Sequence, residues 1–190
     1  MVGYSDSDWA GCRSTGKSTR GGAVLRGTHL LEGWARTQQC VTLSSAEAEL
    51  VALNKTAAEV LGCISMFSDF DVKMGGLLYG DSSAAIAISN RKGCGKLRHI
   101  HVGQLWLQEK IEDKSLSISK VKGENNPADL MTKILSRAEV DRRLRDMTIK
   151  VRYKEVSVNG IEIGNSARVI MPVYAAQRKK GQGRRCCDLI

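Results

Sequence analysis

The chain has 190 residues, 42% of them hydrophobic and 26% charged, the length of one domain with an appendage and a composition able to bury a real core; a multi-domain enzyme and wholesale disorder are excluded. No window approaches the roughly 18 uninterrupted apolar residues of a membrane span, and the start Met1-Val2-Gly3-Tyr4 has neither a basic leader nor an apolar stretch of signal-peptide type, so neither membrane association nor secretion is expected. Six cysteines without a C-x-x-C pair exclude a zinc knuckle or disulfide framework and point to a reducing compartment, and the net charge of +9 is compatible with a polyanionic partner.

Residues 1–42 lack helical period and are rich in glycine. Val2 and Tyr4 lead into Asp6, a Gly/Ser/Thr loop is read from Gly11 to Gly22, and the apolar runs Ala23-Val24-Leu25 and Leu30 to Trp34 flank Gly27-Thr28. Three antiparallel strands are predicted. Over residues 44–64 the period changes, with Leu50, Leu53, Ala57, Leu61 and Ile64 at helical spacings and Ser44 and Glu47 fitting a capping box. Leu77-Leu78-Tyr79 reads as a short buried strand ending at Asp81, followed by a helix over Ser83 to Ser89. A basic loop then leads to a helix over about 102–113, and Leu116, Ile118 and Val121 alternate as a strand. Asn126 and Pro127 suit the N-cap and N1 positions of a last helix, broken near Ser136 and running on to Met147. The expected fold class is α/β: a five-stranded mixed sheet, three antiparallel strands first and then β/α, flanked by helices.

That domain is expected to occupy residues 1–149. The extension 150–190 holds 9 of the basic and 3 of the acidic residues, so it carries most of the charge excess. Residues 155–163 alternate around Asn159-Gly160 as a hairpin, and 177–190 are expected to be disordered.

Each acid has an ordinary structural reading: Asp6 and Asp8 as strand-end turn residues, Glu49 as a surface helix residue, Asp81 as an N-cap, Asp129 as an N3 acid favoured by the helix dipole. Glu49 is the exception among them, because Glu47 already serves the cap while Glu49 borders the apolar stripe and would face the sheet. Asp6 and Asp81 both fall at strand ends, where a mixed sheet forms its clefts. Three converging carboxylates persist cheaply only around a bound cation. Oxygen ligands alone imply Mg²⁺ or Mn²⁺, and two such ions about 3.5–4 Å apart cut phosphodiesters. Hydrolysis of a nucleic-acid backbone is the expected chemistry.

Six blocks, in order, carry a family resemblance: Tyr4-Ser-Asp6-Ser-Asp-Trp-Ala-Gly11, Lys17-Ser-Thr19, Leu43-Ser-Ser-Ala-Glu-Ala-Glu49-Leu, Gly80-Asp81-Ser-Ser-Ala-Ala, Arg98-His99-Ile and Asn126-Pro-Ala-Asp129-Leu-Met-Thr-Lys133. Together they resemble the ribonuclease H domain of Copia-type retrotransposon polyproteins, over residues 2 to about 147. The resemblance implies an RNase H-like fold in which Asp6, Glu49, Asp81 and Asp129 are the catalytic carboxylates, hold two Mg²⁺ ions (or Mn²⁺) and cut the RNA strand of an RNA–DNA hybrid. It also implies a terminal fragment of a polyprotein, with the reverse transcriptase part as a partner and a retroelement particle in the cytoplasm, or the nucleus, as location. Arg20 stands where the family usually has a small residue and His101 where an acid is commoner. The loop Lys122-Gly-Glu124-Asn-Asn lacks the histidine that cellular enzymes carry there, which implies slow turnover. Ser82, Arg91, Lys92, Lys96, Arg98 and His99 are the candidate substrate contacts, read alternatively as helix capping and a solvated loop. Trp9, Trp34 and Trp106 are read as core. A hybrid is recognised by shape and its 2′-hydroxyls, so weak sequence preference is expected.

Other readings stand beside this one. Gly11-Cys-Arg-Ser-Thr-Gly16-Lys17-Ser18 matches the phosphate-binding G-x-x-x-x-G-K-[ST] pattern literally, but Thr19 to Val24 reads as strand where that mechanism needs a helix. Cys187, fourth from the end after a basic stretch, resembles a prenylation signal with Asp188 at a position usually aliphatic. Cys94, His99 and His101 give three potential transition-metal ligands with no fourth nearby. A degenerate retroelement relic that binds nucleic acid without cutting is the alternative from a different functional class.

Overall fold

Alternation along a single strand sets the two faces of the sheet: Val24 turns to one side, Ala23 and Leu25 to the other, and each joins a different core. The computed structural model describes residues 1–93, 95 and 102–149, and the strands at 152–158 and 161–168. Strands β1 (Val2–Asp8), β2 (Thr19–Arg26) and β3 (His29–Thr37) form an antiparallel meander, while β4 (Gly76–Gly80) and β5 (Leu116–Lys120) run parallel to β1, giving the order β3-β2-β1-β4-β5. This is the expected five-stranded mixed sheet, meander first.

Helix α1 (Ser45–Ser68) crosses one face. Its Leu50, Leu53, Ala57 and Val60 meet Val24, Trp34 and Leu78 of the sheet, and α2 (Ser83–Ser89) and α3 (Trp106–Glu112) add Ala85, Ile88 and Leu107. Close approach of α1 depends on Gly3, where a Cβ would fall 2.6 Å from Val60 Cγ2. By length and composition α1 could cross a membrane, and the face from Leu50 to Val60 packs in the core. On the other face α4 (Arg137–Asp146) lays Leu144, with Met147 just beyond it, over Ala23 and Leu25.

Local signals explain the boundaries. Ser44 Oγ accepts from Glu47 N at 3.2 Å, but the Glu47 carboxylate accepts from Leu43 N at 2.7 Å, one residue before the position a capping box would use. The expected break near Ser136 is present: a 3₁₀ helix, Pro127–Met131, precedes α4, whose capping box joins Ser136 and Glu139. The helix expected at 102–113 is a 3₁₀ turn, Val102–Leu105, leading into α3.

Thr19 to Gly22 carry two readings, the end of a Gly11–Gly22 loop and the start of a strand, and the strand reading holds: the loop ends at Ser18, because Thr19 to Gly22 pair with Asp8 to Ser5 as part of β2. Gly21 and Gly22 are there for space: a Cβ would lie 2.6 Å from Met131 Cβ at Gly21 and 2.2 Å from Trp34 Cζ2 at Gly22. The chain therefore enters a strand directly after Lys17-Ser18, and the helix N-terminus that a phosphate-binding loop requires is missing there. In the extension, β6 (Arg152–Val158) pairs antiparallel with β7 (Ile161–Arg168), Val158 opposite Ile161. Residues 177–190, including Cys187, lie outside the described residues.

Candidate active site

The parallel pairing of β1 with β4 brings the ends of these central strands side by side, and Asp6 and Asp81 sit at those ends. Helix α1 crosses above them and contributes Glu49 from its second turn. Asp6, Glu49 and Asp81 each offer an oxygen within 4.8 Å of the other two. The ordinary readings fail for all three. Ser82 rather than Asp81 caps α2, and Asp8 closes the β1–β2 loop by accepting from Thr19 N, while Asp6 turns to the site and is 1% exposed. Glu49 is 8% exposed rather than on the surface; its Oε1 accepts from Ser7 N at 3.2 Å, and its Oε2 is buried with no hydrogen-bond partner.

Electrostatics record the crowding. Burial first, and then the charges of Asp6 and Asp81, push Glu49 up to about 8. Burial also raises Asp6, with Asp129 adding to the rise and Thr132 and Lys133 opposing it. An acidic trio with Asp6 and Glu49 buried, Asp81 half-buried and an orphaned carboxylate oxygen suits a divalent cation held by oxygen ligands, and Asp6, Glu49 and Asp81 fit that group.

Asp129 is brought next to the trio rather than into it. Its 3₁₀ helix lies on Gly21 of β2 and is tied to β1 by Asn126, whose Nδ2 donates to Ser5 O at 2.9 Å. Both Asp129 oxygens are occupied: Oδ1 accepts from Lys133 Nζ at 2.7 Å and Oδ2 from Arg143 Nη1 at 2.7 Å. Lys133 Nζ also reaches Asp6 Oδ1 at 3.1 Å, and Thr132 Oγ1 donates to Asp6 Oδ2. Burial lowers the Lys133 ammonium, but its bonds to Asp129 and Asp6 outweigh that and raise it.

The expected substrate contacts divide. Ser82 Oγ accepts from Ala85 N at 3.3 Å and so serves as a cap beside Asp81. Lys92 pairs with Glu112 on the exposed side of α3, Arg91 is half-buried near the end of α2, and Lys96, Arg98 and His99 lie outside the described residues together with Cys94 and His101. Trp34 is core and Trp106 packs against it, whereas Trp9 is 53% exposed with its Nε1 donating to Thr42 O; the core reading of Trp9 is corrected, since the strand end leaves it above the loop rather than under a helix. Sequence reasoning missed the parts played by Thr132, Lys133 and Arg143. The i,i+4 spacing of Asp129 and Lys133 was a usable signal. Nothing distinguishes Arg143 from its neighbours Arg142 and Arg145 until α4 is placed.

A β3-β2-β1-β4-β5 sheet with acids at the ends of its two central strands and on the helix crossing them is an RNase H-like domain. The chain is homologous to a segment of the retrovirus-related Pol polyproteins of Copia-type transposons. It is 31% identical over 139 residues to the Pol polyprotein from transposon TNT 1-94 of Nicotiana tabacum, covering 72% of this chain and 10% of that protein. It is 28% identical over 137 residues to the Pol polyprotein from transposon RE1 of Arabidopsis thaliana, covering 70% and 9%. The chain thus spans about a tenth of the length of the curated relatives it matches. No protein-family model matches. Among solved structures it is similar to LC11-RNase H1 in complex with an RNA/DNA hybrid, at 17% identity and TM-score 0.46 over 68% of this chain and 91% of that one. It is also similar to the N-terminal RNase H domain of rv2228c from Mycobacterium tuberculosis, at 16% identity and TM-score 0.49 over 76% and 95%.

Proposed function

We propose that this chain is a divalent-metal-dependent endoribonuclease that hydrolyses the RNA strand of RNA–DNA hybrids during retrotransposon reverse transcription. The RNase H-like fold and the homology to Pol polyproteins support a ribonuclease H-type enzyme. The observation that carries the finer reading is the convergence of Asp6, Glu49 and Asp81, of which Glu49 keeps a buried oxygen with no hydrogen-bond partner among the described residues.

In this reading Asp6, Glu49 and Asp81 would hold one Mg²⁺ or Mn²⁺, and Asp6 with Asp129 would hold another, which would supply activation of water and stabilisation of the leaving oxygen of a phosphodiester. The chain's own residues prepare the ligands. Ser7 N–H orients Glu49 Oε1, Thr132 orients Asp6 Oδ2, and Arg143 orients Asp129 Oδ2. Glu49 gives up its proton on loading, since a ligand carboxylate must be ionised. Arg91, Lys92, Lys96, Arg98 and His99, with Ser82 next to Asp81, are proposed to contact backbone phosphates of the hybrid. The reverse transcriptase part of the same polyprotein is the proposed partner, in a cytoplasmic retroelement particle or in the nucleus.

The test is substrate choice. With Mg²⁺ the chain should cut the RNA of an RNA–DNA hybrid and spare single-stranded RNA and duplex RNA; cutting all three equally, or duplex RNA alone, would overturn the assignment.

A further inference from the structure

One cation is already in this site. The Lys133 ammonium lies between Asp6 Oδ1, at 3.1 Å, and Asp129 Oδ1, at 2.7 Å. The other oxygen of each acid is taken, Asp6 Oδ2 by Thr132 and Asp129 Oδ2 by Arg143. A divalent ion held by Asp6 and Asp129 together would compete with the Lys133 ammonium for their oxygens. By contrast, the Asp6–Glu49–Asp81 trio has a buried oxygen, Glu49 Oε2, with no hydrogen-bond partner among the described residues. The two halves of the site differ: the trio meets the Lys133 ammonium through Asp6 alone, whereas in the Asp6–Asp129 pair the ammonium spans both acids.

We propose that Lys133 is the resident cation of the Asp6–Asp129 pair, so that the chain without nucleic acid takes one divalent ion at the trio, and a second enters only by displacing the Lys133 ammonium. The inference rests on the metal-dependent reading above and adds an order of loading to it. The lysine is suited to leave. Its side chain is 42% exposed and, among the described residues, is held by the two carboxylates alone, whereas Arg143 is buried and bonded also to Asn126 O at 3.0 Å. A displaced Lys133 stays tethered four residues beyond Asp129, where its charge faces whatever polyanion lies over the site.

The experiment is a Mn²⁺ titration of the full chain without nucleic acid, following the signal of free Mn²⁺ by electron paramagnetic resonance, with circular dichroism to establish folding. Wild type is expected to bind one ion. Lys133→Met, and Lys133→Gln as a second variant, are expected to bind two, the second at least about tenfold more tightly than wild type takes it. Lys120→Met, which removes a neighbouring charge that bonds Ser83 and not the acids, should leave the count at one. Two ions in wild type, no gain in either Lys133 variant, or the same gain in Lys120→Met would overturn the role of Lys133 while leaving the metal site standing. Failure of wild type to bind Mn²⁺, or binding unaltered by Asp81→Asn, would overturn the metal-dependent reading itself and this inference with it.

Discussion

Arg143 and Asp129 form an ion pair inside the protein: Nη1 lies 2.7 Å from Oδ2 and each side chain is only 5% exposed. The same guanidinium donates to the carbonyl of Asn126 at 3.0 Å and to that of Gly123 at 3.4 Å, so α4 clamps both the fourth acid and the turn leading to it. Removing one partner of a buried pair leaves the other charge uncompensated. Arg143→Met should cost about 3–5 kcal/mol in urea unfolding, whereas Lys133→Met, which removes a half-exposed partner of the same acid, should cost no more than about 1 kcal/mol. Equal losses in the two variants would contradict the clamp.

Glu49 makes stability depend on pH in a definite direction. Its pKa in the fold, about 8, lies above the ordinary 4.5. Between those values the native chain keeps a proton that the unfolded chain has released, so the contribution of Glu49 to stability falls as pH rises from 4.5 to 8 and is level outside that window. In chelator-treated protein, Glu49→Gln should remove this part of the slope, as read from urea midpoints at pH 5 and pH 8. Mg²⁺ should also flatten the wild-type slope, because it favours the ionised carboxylate. Parallel slopes for wild type and variant without metal would rule the account out.

Gly21 gives the Asp129-bearing turn its seat on β2. A Cβ there would lie 2.6 Å from Met131 Cβ and 3.2 Å from the Ala128 carbonyl, and backbone cannot yield as a side-chain tip can. Gly21→Ala should destabilise by about 1–3 kcal/mol and lower cleavage of a hybrid further than the unfolded fraction explains. Activity that tracks the folded fraction alone would mean that the turn's placement is unimportant.

Lys17 should have no part in nucleotide binding. The Gly11–Ser18 segment joins two antiparallel strands, so its amides lack the helix N-terminus that cradles phosphates. Calorimetry should find no ATP binding to wild type or to Lys17→Ala; binding lost in that variant would restore the phosphate-loop reading.

Alternating apolar runs at 23–25 and 30–34, the helical spacing from Leu50 to Ile64 and the Asn126-Pro127 start were legible because period and capping are local properties. Convergence of Asp6, Glu49 and Asp81 was legible in outline, since strand ends and a helix face can be placed from pattern. Thr19 to Gly22 read both as loop and as strand, because glycine and small polar residues usually mark turns; the pressure that put glycine there comes from Trp34, Met131 and Thr132, far along the chain. Lys133 and Arg143 were opaque for the same reason. Their partners are fixed only when the 3₁₀ helix docks on β2 and α4 closes over it.

The most direct test of the central claim is cleavage of an end-labelled RNA–DNA hybrid in Mg²⁺ by wild type and by Asp81→Asn, with both proteins shown to be folded. The account predicts RNA-strand cutting by wild type, loss of cutting in the variant and no cutting by either in chelator. Equal cutting by the two proteins, or none by folded wild type, would contradict it, and the second result would favour a relic that binds without cleaving.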